Sequence, residues 1–487
     1  MNIFTALTLS SLCNGAVVNL EKNAVYELDV SNAKRYELHI SNHDQPKDHP
    51  FAVPIVGVTN VVIKGNGAKL LLKGCQGALL LQDTKNVRIE NLTIDFVDPT
   101  VSEAEITGFE DGKTLGKWIV KGCHGAAPII MLWDAKTKSI VPRTGDGWLG
   151  GTQVRDDGTL VFNRDFSKWG EGGKIGDRIS MRTGARPHPA VTLYRAVDTV
   201  FSNVTIRNSH GMAMLAQRSE NITFKGGGVK PRKGSFCSAV ADATHFSNCR
   251  GLIHFEGAKF RGMMDDAINV HSTCLRIEEI KNGKTLRCRY VHGQSVGFEV
   301  FLAGETLRFI KAKTLENGPE MKVVAARMTK VNEVELDLEN AVPDGYGVGD
   351  AVENADWQPS VVFRKNWVGG NRARGTLFTT PKKVVVEDNV FDHVSGAAVL
   401  LAGDAAGWYE SGACQDVTIK GNKFIACNTS HYEFCNGVIS IFPSVKDLKN
   451  QKTPYHTNIT FKDNEFIDCP KPILHKVSCG ELKGDVP

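Results

Sequence analysis

The stretch Phe363-Arg364-Lys365-Asn366-Trp367-Val368 decides the fold, because its pattern returns three times further along the chain. Each copy has an apolar residue, two residues of polar type, an asparagine, any residue and a second apolar residue. The copies are Val386-Glu387-Asp388-Asn389-Val390-Phe391, Ile419-Lys420-Gly421-Asn422-Lys423-Phe424 and Phe461-Lys462-Asp463-Asn464-Glu465-Phe466. Their asparagines are 23, 33 and 42 residues apart. Repeat lengths between about 20 and 50 residues are typical of a solenoid, here one short coil followed by coils lengthened by loops.

Shorter copies of the same pattern occur earlier, at residues 86–91, 203–208 and 221–226. Their apolar residues alternate with polar ones, and an alternation of period two indicates strands rather than helices. Short strands joined by turns at this spacing predict a right-handed parallel β-helix, in which each coil stacks about 4.8 Å above the last. The recurring asparagine suits a left-handed turn and is expected to form an amide ladder from coil to coil.

Two stretches interrupt the repeat and read as antiparallel β insertions, barrel-like in form. The first contains tryptophans and turn pairs such as Asp111-Gly112, and the second has turns at Asn282-Gly283 and Asp344-Gly345. The chain is therefore predicted to be all-β. Its expected domains are β-helix coils at 1–99, an insertion at 100–188, coils with acidic residues at 189–275, a barrel-like insertion at 276–356 and C-terminal coils at 357–487.

The composition narrows the choice of partners. The formal net charge is only +4 and no block of lysine and arginine occurs, so we expect no nucleic-acid partner. No apolar run is long enough to span a bilayer as a helix, so no membrane span is expected. The 12 cysteines show no paired C-x-x-C spacing and are interpreted as buried thiols, a few of which would pair in an exported protein.

The N-terminal segment is apolar at residues 3–12 and is followed by small residues, but it has no positively charged start. It is interpreted either as a clipped or atypical export signal or as an ordinary first strand. On the first interpretation the protein is expected in the periplasm or outside the cell. A homodimer is among the expected assemblies.

The candidate chemistry lies in Gly262-Met263-Met264-Asp265-Asp266-Ala267-Ile268-Asn269-Val270-His271. Asp242 precedes Asp266 by 24 residues, which is one short coil, so the three carboxylates should stack on one face roughly 5–9 Å apart. Clustered like charges are unfavourable and raise the pKa of one member. Three uses remain open: an acid and base pair for glycoside hydrolysis, a cation between the carboxylates for a lyase, or plain solvated turn residues.

A second concentration of unusual residues is expected to bind substrate. Arg372 and Arg374 alternate and so share a strand face, and a glycine-rich loop carries Asp404, Trp408 and Glu410. Indole rings stack on the apolar face of sugars, while Arg, Asp and Glu hold hydroxyl groups. Packing of Trp408 on the coil below and solvated ion pairs for the arginines are the alternatives. Asn269 and His271 join this set as substrate-binding candidates.

Taken together, these segments resemble glycoside hydrolase family 110, whose members are exo-acting α-galactosidases. The likeness runs from about residue 190 to 470 and is carried by Asp242, the segment 262–271, Asn371-Arg372-Ala373-Arg374-Gly375 and Gly403-Asp404 with Trp408-Tyr409-Glu410-Ser411-Gly412. It implies a β-helix with barrel insertions and no cofactor or metal. It also implies hydrolysis of terminal α-1,3-linked galactose, including the blood group B determinant, with inversion.

The resemblance further implies three essential aspartates at Asp242, Asp265 and Asp266. An inverting hydrolase needs an acid and a base about 6.5–9.5 Å apart. We assign the acid to Asp242 and the base to the Asp265/Asp266 pair.

Other classes remain as alternatives. Polygalacturonases and polysaccharide lyases use the same scaffold, but polygalacturonases carry an Asp-Asp-Cys turn where this chain has Asp265-Asp266-Ala267. A non-catalytic carbohydrate-binding solenoid would need Trp408 but not the aspartates. Each of these classes predicts a glycan partner.

Overall fold

A computed structural model of the chain describes residues 13–430 and 434–487. The apolar part of the candidate export signal, residues 3–12, lies outside the described residues. Three parallel sheets wind around a common apolar core, and every coil contributes one strand to each of two or three sheets.

The first sheet runs through the strands Val17–Asn19, Thr59–Lys64, Lys85–Glu90, Val197–Ser202, Glu220–Lys225, Arg250–Glu256, Ser360–Arg364, Val384–Glu387, Val417–Lys420, Ile459–Lys462 and Leu482–Gly484. The second sheet runs through Val25–Asp29, Lys69–Lys73, Thr93–Phe96, Thr205–Ile206, Gly228–Val229, Lys259–Arg261, Trp367–Gly369, Val390–Asp392, Lys423–Ile425 and Glu465–Ile467.

The third sheet, which carries the site, runs through Lys34–Tyr36, His49–Val56, Gly77–Gln82, Val191–Tyr194, Met214–Gln217, Thr244–Ser247, Ile268–Thr273, Thr376–Phe378, Val399–Leu401, Ile439–Ile441 and Leu474–Lys476. The short strand Glu410–Ser411 pairs antiparallel with the end of Ile268–Thr273. Short 3₁₀ helices lie at Val30–Asn32, Phe166–Lys168 and Leu448–Asn450.

Identical residues stack in register from coil to coil. The amide of Asn366 donates to Asn389, that of Asn389 to Asn422 and that of Asn422 to Asn464, at N···O distances of 3.2, 2.9 and 3.1 Å. The expected ladder is therefore present. In these late coils the left-handed residue is the one before the asparagine, such as Asp388 at φ 54°. This leaves each asparagine inside the turn, where its amide also holds a carbonyl of the strand.

The two interruptions of the repeat form separate antiparallel units. The first is a sheet in the order Gly147–Trp148, Ile129–Trp133, Arg178–Arg182, Ser102–Glu110, Lys113–Val120, Leu160–Phe162 and Thr152–Val154. The second is a closed barrel of Leu275–Lys281, Thr285–Arg289, Glu333–Leu338, Asn317–Lys330, Thr306–Ile310 and Ala351–Asn354. Each has its own apolar core. The all-β parallel β-helix with inserted antiparallel β units is confirmed, although only the second insertion closes into a barrel.

The β-helix continues across both insertions as though they were absent. Lys85–Glu90 pairs directly with Val197–Ser202, and Arg250–Glu256 pairs with Ser360–Arg364. All 12 cysteines lie within the described ranges, and all are free thiols. No helix in the described ranges is long and apolar enough to cross a membrane.

Candidate active site

The three aspartates lie in turns that enter adjacent strands of the third sheet. Asp242 comes just before Thr244–Ser247, and Asp265 and Asp266 come just before Ile268–Thr273. These two strands pair in parallel with Thr244 beside Ile268, so their entry turns are stacked at the same end of the sheet. The backbone N–H of Asp266 donates to Oδ1 of Asp242 at 3.3 Å, which ties the two turns together.

The carboxylates are closer together than the strand spacing predicted. One oxygen from each of Asp242, Asp265 and Asp266 lies within 4.8 Å of the others, compared with the expected 5–9 Å. Arginines explain this close approach, because their positive charge offsets the repulsion between carboxylates.

Two arginines contact the aspartates directly. Nε and Nη2 of Arg374 lie 2.9 Å from the two oxygens of Asp266, and the backbone N–H of Arg374 donates to the same carboxylate. Nη2 of Arg186 donates to Oδ2 of Asp265 at 3.1 Å. Asp266 is fully buried and Asp265 is 8% exposed, so both ion pairs are shielded from water.

The aspartates differ in their acidity. Burial, with a further contribution from Asp265, raises the pKa of Asp242 to about 7. Burial would also raise the pKa of Asp265, but Arg372, Arg374 and Arg186 outweigh it and hold that pKa below its ordinary value. Burial raises the pKa of Asp266, against the influence of Arg374. Asp242 is therefore protonated up to neutral pH beside an ionised Asp265, which is the combination that acid–base catalysis requires.

A cavity of about 180 Å³ opens over these turns. Asp242, Asp265, Asn269, Glu410 and Trp408 are among the side chains that line it. Asp266 and His271 are not among its lining residues, although both belong to the described part of the chain. Asp266 lies behind Arg374, and His271 lies behind His245.

The two arginines of the second segment both line the cavity. Arg374 reaches the aspartates as described, and Nη2 of Arg372 lies 3.3 Å from Asp146 of the first insertion. Both side chains are largely buried, at 14% exposed for Arg372 and 18% for Arg374. The solvated ion pairs considered as an alternative are therefore not what the structure contains.

The residues of the glycine-rich loop have distinct surroundings. Asp404 lines the cavity, but its carboxylate accepts backbone N–H groups from residues 406–409 and so holds the loop in shape. Trp408 is 36% exposed and stacks on His292 of the barrel, with ring centroids 3.8 Å apart. Glu410 accepts an amide hydrogen bond from Asn42 at 3.0 Å, and the amide of Asn269 lies 3.5 Å from its other oxygen.

Glu410 is a further carboxylate in the cavity wall, beside Asp242, Asp265 and Asp404. Burial would raise its pKa, but His271, His245 and Arg374 together lower the pKa below its ordinary value. Two buried oxygens, Oδ1 of Asp265 and Oδ1 of Asn269, have no hydrogen-bond partner among the described residues. Because buried polar atoms are normally paired, these oxygens indicate where a polar ligand would bind.

Sequence reasoning missed residues that both insertions and the first coils bring to the site. Arg186 follows Arg178–Arg182, the last strand of the first insertion, His292 lies in the barrel insertion and Asn42 precedes the second strand of the third sheet. No repeat or motif marks these positions in the sequence. His245 was visible three residues after Asp242, on the same side as the acid, and that spacing was the one available signal.

Within residues 13–430 and 434–487, two sets of side chains are close enough to be considered for an ion. They are Asp242, Asp265 and Asp266, and His245, His271 and Glu410, with ligand atoms within 4.8 Å in each set. In the first set the arginines already supply positive charge. In the second set the two imidazole Nε2 atoms lie 2.8 Å apart, which is a hydrogen-bond distance. The first set is thus held together by arginine charge and the second by a hydrogen bond, while Oδ1 of Asp265 accepts no hydrogen bond among the described residues.

The chain is similar to proteins named alpha-1,3-galactosidase and to a family profile for one of their domains. A family profile described as "GLAA-B beta-barrel domain II" matches residues 285–352, which lie in the closed barrel. Alpha-1,3-galactosidase B of Akkermansia muciniphila is 44% identical over 96% of this chain and 61% of its own length. The protein of the same name from Parabacteroides distasonis is 36% identical over 96% of this chain and 81% of its own length. That from Bacteroides fragilis (strain YCH46) is 35% identical, with coverages of 92% and 80%. The chain thus spans about three fifths of the first relative and four fifths of the other two.

Proposed function

This chain belongs to the alpha-1,3-galactosidase family, glycoside hydrolase family 110, and on that premise we propose that it removes terminal α-1,3-linked galactose from glycans. The blood group B determinant and linear α-1,3-galactosyl glycans are the proposed substrates. One observation carries the proposal: a protonated and an ionised carboxyl group, Asp242 and Asp265, line the same small cavity.

The size of the cavity supports exo-action. A space of about 180 Å³ suits a single terminal sugar rather than a chain passing through. We propose that galactose enters with its anomeric carbon towards the aspartates. The remainder of the glycan then leaves through the opening near Trp408 and His292, where the stacked rings offer a face to the next sugar.

We propose Asp242 as the general acid. Its carboxyl group would protonate the glycosidic oxygen as the bond to the anomeric carbon breaks, so that the remaining glycan leaves as a neutral alcohol. A pKa of about 7 suits this role, because a large fraction of Asp242 still carries its proton near neutral pH and yet gives it up readily.

Asp265 is the proposed base and Asp266 its support. Asp265 would take a proton from the water that attacks the anomeric carbon, while Asp266 holds Arg374 in place beside it. The nearest oxygens of the aspartates are within 4.8 Å, which is closer than the usual spacing of about 6.5–9.5 Å in inverting enzymes. The anomeric form of the first product is therefore the measurement that tests inversion.

Substrate contacts are assigned to polar groups of the cavity wall. Arg372, Glu410 and Asn269 would bind galactose hydroxyl groups, and the unpaired Oδ1 of Asn269 has room for one such bond. Asp404 is proposed to act by shaping the loop that presents Trp408. His271 is proposed to act from behind His245 rather than by touching the sugar.

The test follows product formation by NMR with p-nitrophenyl α-galactoside and a B-type trisaccharide as separate substrates. Release of galactose from both, with the β-anomer appearing first, is the expected result. If the α-anomer appears first, a covalent intermediate on Asp265 replaces the inverting scheme. An unsaturated uronate from acidic polysaccharides would indicate a lyase, and binding without any release would indicate a carbohydrate-binding solenoid.

Location and assembly are proposed on sequence grounds alone. We propose a periplasmic or secreted protein, resting on the apolar character of residues 3–12. Fractionation of the expressing cells tests this, and light scattering of the purified chain tests the homodimer.

A further inference from the structure

A chain of hydrogen bonds leads from the proposed acid into the protein. Oδ2 of Asp242 lies 2.8 Å from Nδ1 of His245, and Nε2 of His245 lies 2.8 Å from Nε2 of His271. Nδ1 of His271 lies 3.0 Å from the backbone carbonyl oxygen of Ser272. Asp242 is 3% exposed and both histidines are 1% exposed, so water does not compete for these contacts.

When both histidines are neutral, the carbonyl at the end of this hydrogen-bond chain fixes the position of every proton in it. A carbonyl oxygen only accepts, so Nδ1 of His271 carries a hydrogen and Nε2 of neutral His271 carries a lone pair. Nε2 of His245 must then donate to that lone pair. Neutral His245 therefore has a lone pair on Nδ1, and this lone pair needs a donor. The O–H group of protonated Asp242 is the donor within reach.

If Asp242 loses its proton while both histidines stay neutral, either tautomer of His245 leaves an unfavourable contact. If Asp242 ionises while His245 keeps its hydrogen on Nε2, the carboxylate oxygen faces a lone pair at 2.8 Å. If the hydrogen of His245 moves to Nδ1 instead, two Nε2 lone pairs face each other at 2.8 Å. A proton shared by Asp242 and His245 removes both conflicts.

We propose that His271 and His245 are positioning residues that keep one proton on the Asp242–His245 pair, with the Ser272 carbonyl setting the direction of the chain. The proposal rests on the proposed function, because it explains how the general acid of that reaction, Asp242, stays protonated. It assigns a role to His245, and it gives His271 a role other than sugar binding.

Other charged groups around the pair act in both directions. Asp265 favours retention of the proton, whereas Arg186 and Arg374 disfavour it. Glu410 lies 3.6 Å from Nε2 of His271 and raises the pKa of His245, although burial keeps that pKa well below its ordinary value. His43 lies on the other side, and burial holds its pKa well below the ordinary value, so it contributes no charge at neutral pH.

The hydrogen-bond chain also favours reprotonation of Asp242 after each turnover. In the reaction, Asp242 transfers its proton to the glycosidic oxygen, the C–O bond breaks, and water delivers hydroxide to the sugar and a proton to Asp265. Asp242 is then a carboxylate facing the lone pair of His245. This contact favours uptake of a solvent proton by Asp242, while Asp265 releases its proton to solvent, so each turnover consumes one water molecule and no net proton.

Nitrogen NMR of the unmodified protein determines which ring nitrogens of His245 and His271 carry hydrogen, independently of activity. In a protein labelled with ¹⁵N at histidine, we expect one histidine with hydrogen on Nε2 and one with hydrogen on Nδ1, linked by a coupling across the Nε2···Nε2 hydrogen bond. Their signals are assigned by loss in His245→Ala and His271→Ala. Two histidines with hydrogen on Nδ1, together with a stoichiometric metal ion in elemental analysis, would overturn the proposal, because an ion would then occupy the place of the proton.

The pH profile of His271→Ala provides the second test. Without the Nε2 lone pair, water can donate to His245, which then carries hydrogen on Nδ1 and stabilises ionised Asp242. We expect the alkaline limb of kcat/KM to move about one unit lower in pH, on the scale of one hydrogen bond to a charged group. The matched control is His254→Ala, a histidine of the first sheet paired with Glu256 and outside the cavity, which should leave the limb in place.

The outcomes separate the two proposals. An unmoved limb in folded His271→Ala overturns the positioning role even if the enzyme hydrolyses galactosides. If the unmodified protein releases no galactose from any substrate, the proposed function fails, and the NMR experiment still decides the arrangement of protons.

Discussion

Replacement of Asp242 by asparagine should reduce the rate of hydrolysis most for substrates whose leaving group must be protonated. Asparagine fills nearly the same space but has no acidic proton to give. An α-1,3-linked disaccharide releases an alcohol, which requires protonation, and should lose the full contribution of a general acid, about 10²- to 10⁴-fold in kcat. p-Nitrophenol leaves as a stable anion, so the same variant should lose less than about tenfold with the nitrophenyl galactoside.

The comparison with Asp265→Asn makes this assay decisive. The base acts on the attacking water whatever group departs, so Asp265→Asn should reduce both rates by a similar factor, roughly 10²- to 10⁴-fold. The control is Asp337→Asn on the barrel, where the carboxylate pairs with Arg327 and is not among the cavity-lining residues. It should leave both rates unchanged.

Two results would refute the reasoning. If Asp242→Asn loses the same factor on both substrates while Asp265→Asn shows the leaving-group dependence, the acid and base roles are exchanged. If neither variant loses activity, the aspartates are not the catalytic groups. Circular dichroism of each variant confirms that any loss is not due to unfolding.

Further predictions concern pH, charge, stacking and the core. The kcat/KM of the unmodified chain should fall as pH rises through about 7, because the active form of Asp242 is protonated; a constant rate up to pH 9 would contradict this. Arg374→Met should lose about 3–5 kcal/mol of unfolding free energy at pH 7 and clearly less at pH 4, where protonation relieves the unpaired carboxylates, and urea titrations at both pH values measure the difference. Trp408→Ala should raise KM for the disaccharide roughly fivefold with little change in kcat, and a loss confined to kcat would argue against stacking. Asn389→Ala should cost about 2–4 kcal/mol, because it leaves buried ladder partners unpaired, whereas Asn464→Ala at the more exposed end of the ladder should cost less.

The β-helix could be predicted from the sequence because the same turn recurs in successive coils and needs the same type of residue each time. Asn389, for example, must satisfy the coils on both sides of it, so the same residue type returns wherever the same turn returns. The stacking of Asp242 on Asp266 could be predicted for the same reason, since one coil separates them.

The surroundings of the aspartates could not be read in this way. Arg186 reaches Asp265 from 79 residues away and His292 reaches Trp408 from the barrel, and such contacts depend on how insertions pack rather than on a repeat. The short distance between the carboxylates follows from these arginines, so the strand spacing alone overstated it. The order of strands in the first insertion likewise depends on long-range pairing, and its sheet does not close.

The way each insertion begins and ends has a consequence for how the chain folds. Ser102 pairs with Met181 at the limits of the first insertion, and Leu275 pairs with Val352 at the limits of the second. Each insertion therefore brings its own ends together, and its internal contacts offset the entropy cost of closing a long loop. Once an insertion has formed, its two ends lie side by side. The coils before and after it can then pair as though only a short loop joined them. A protein with many distant contacts should thus assemble more quickly than its contact order suggests.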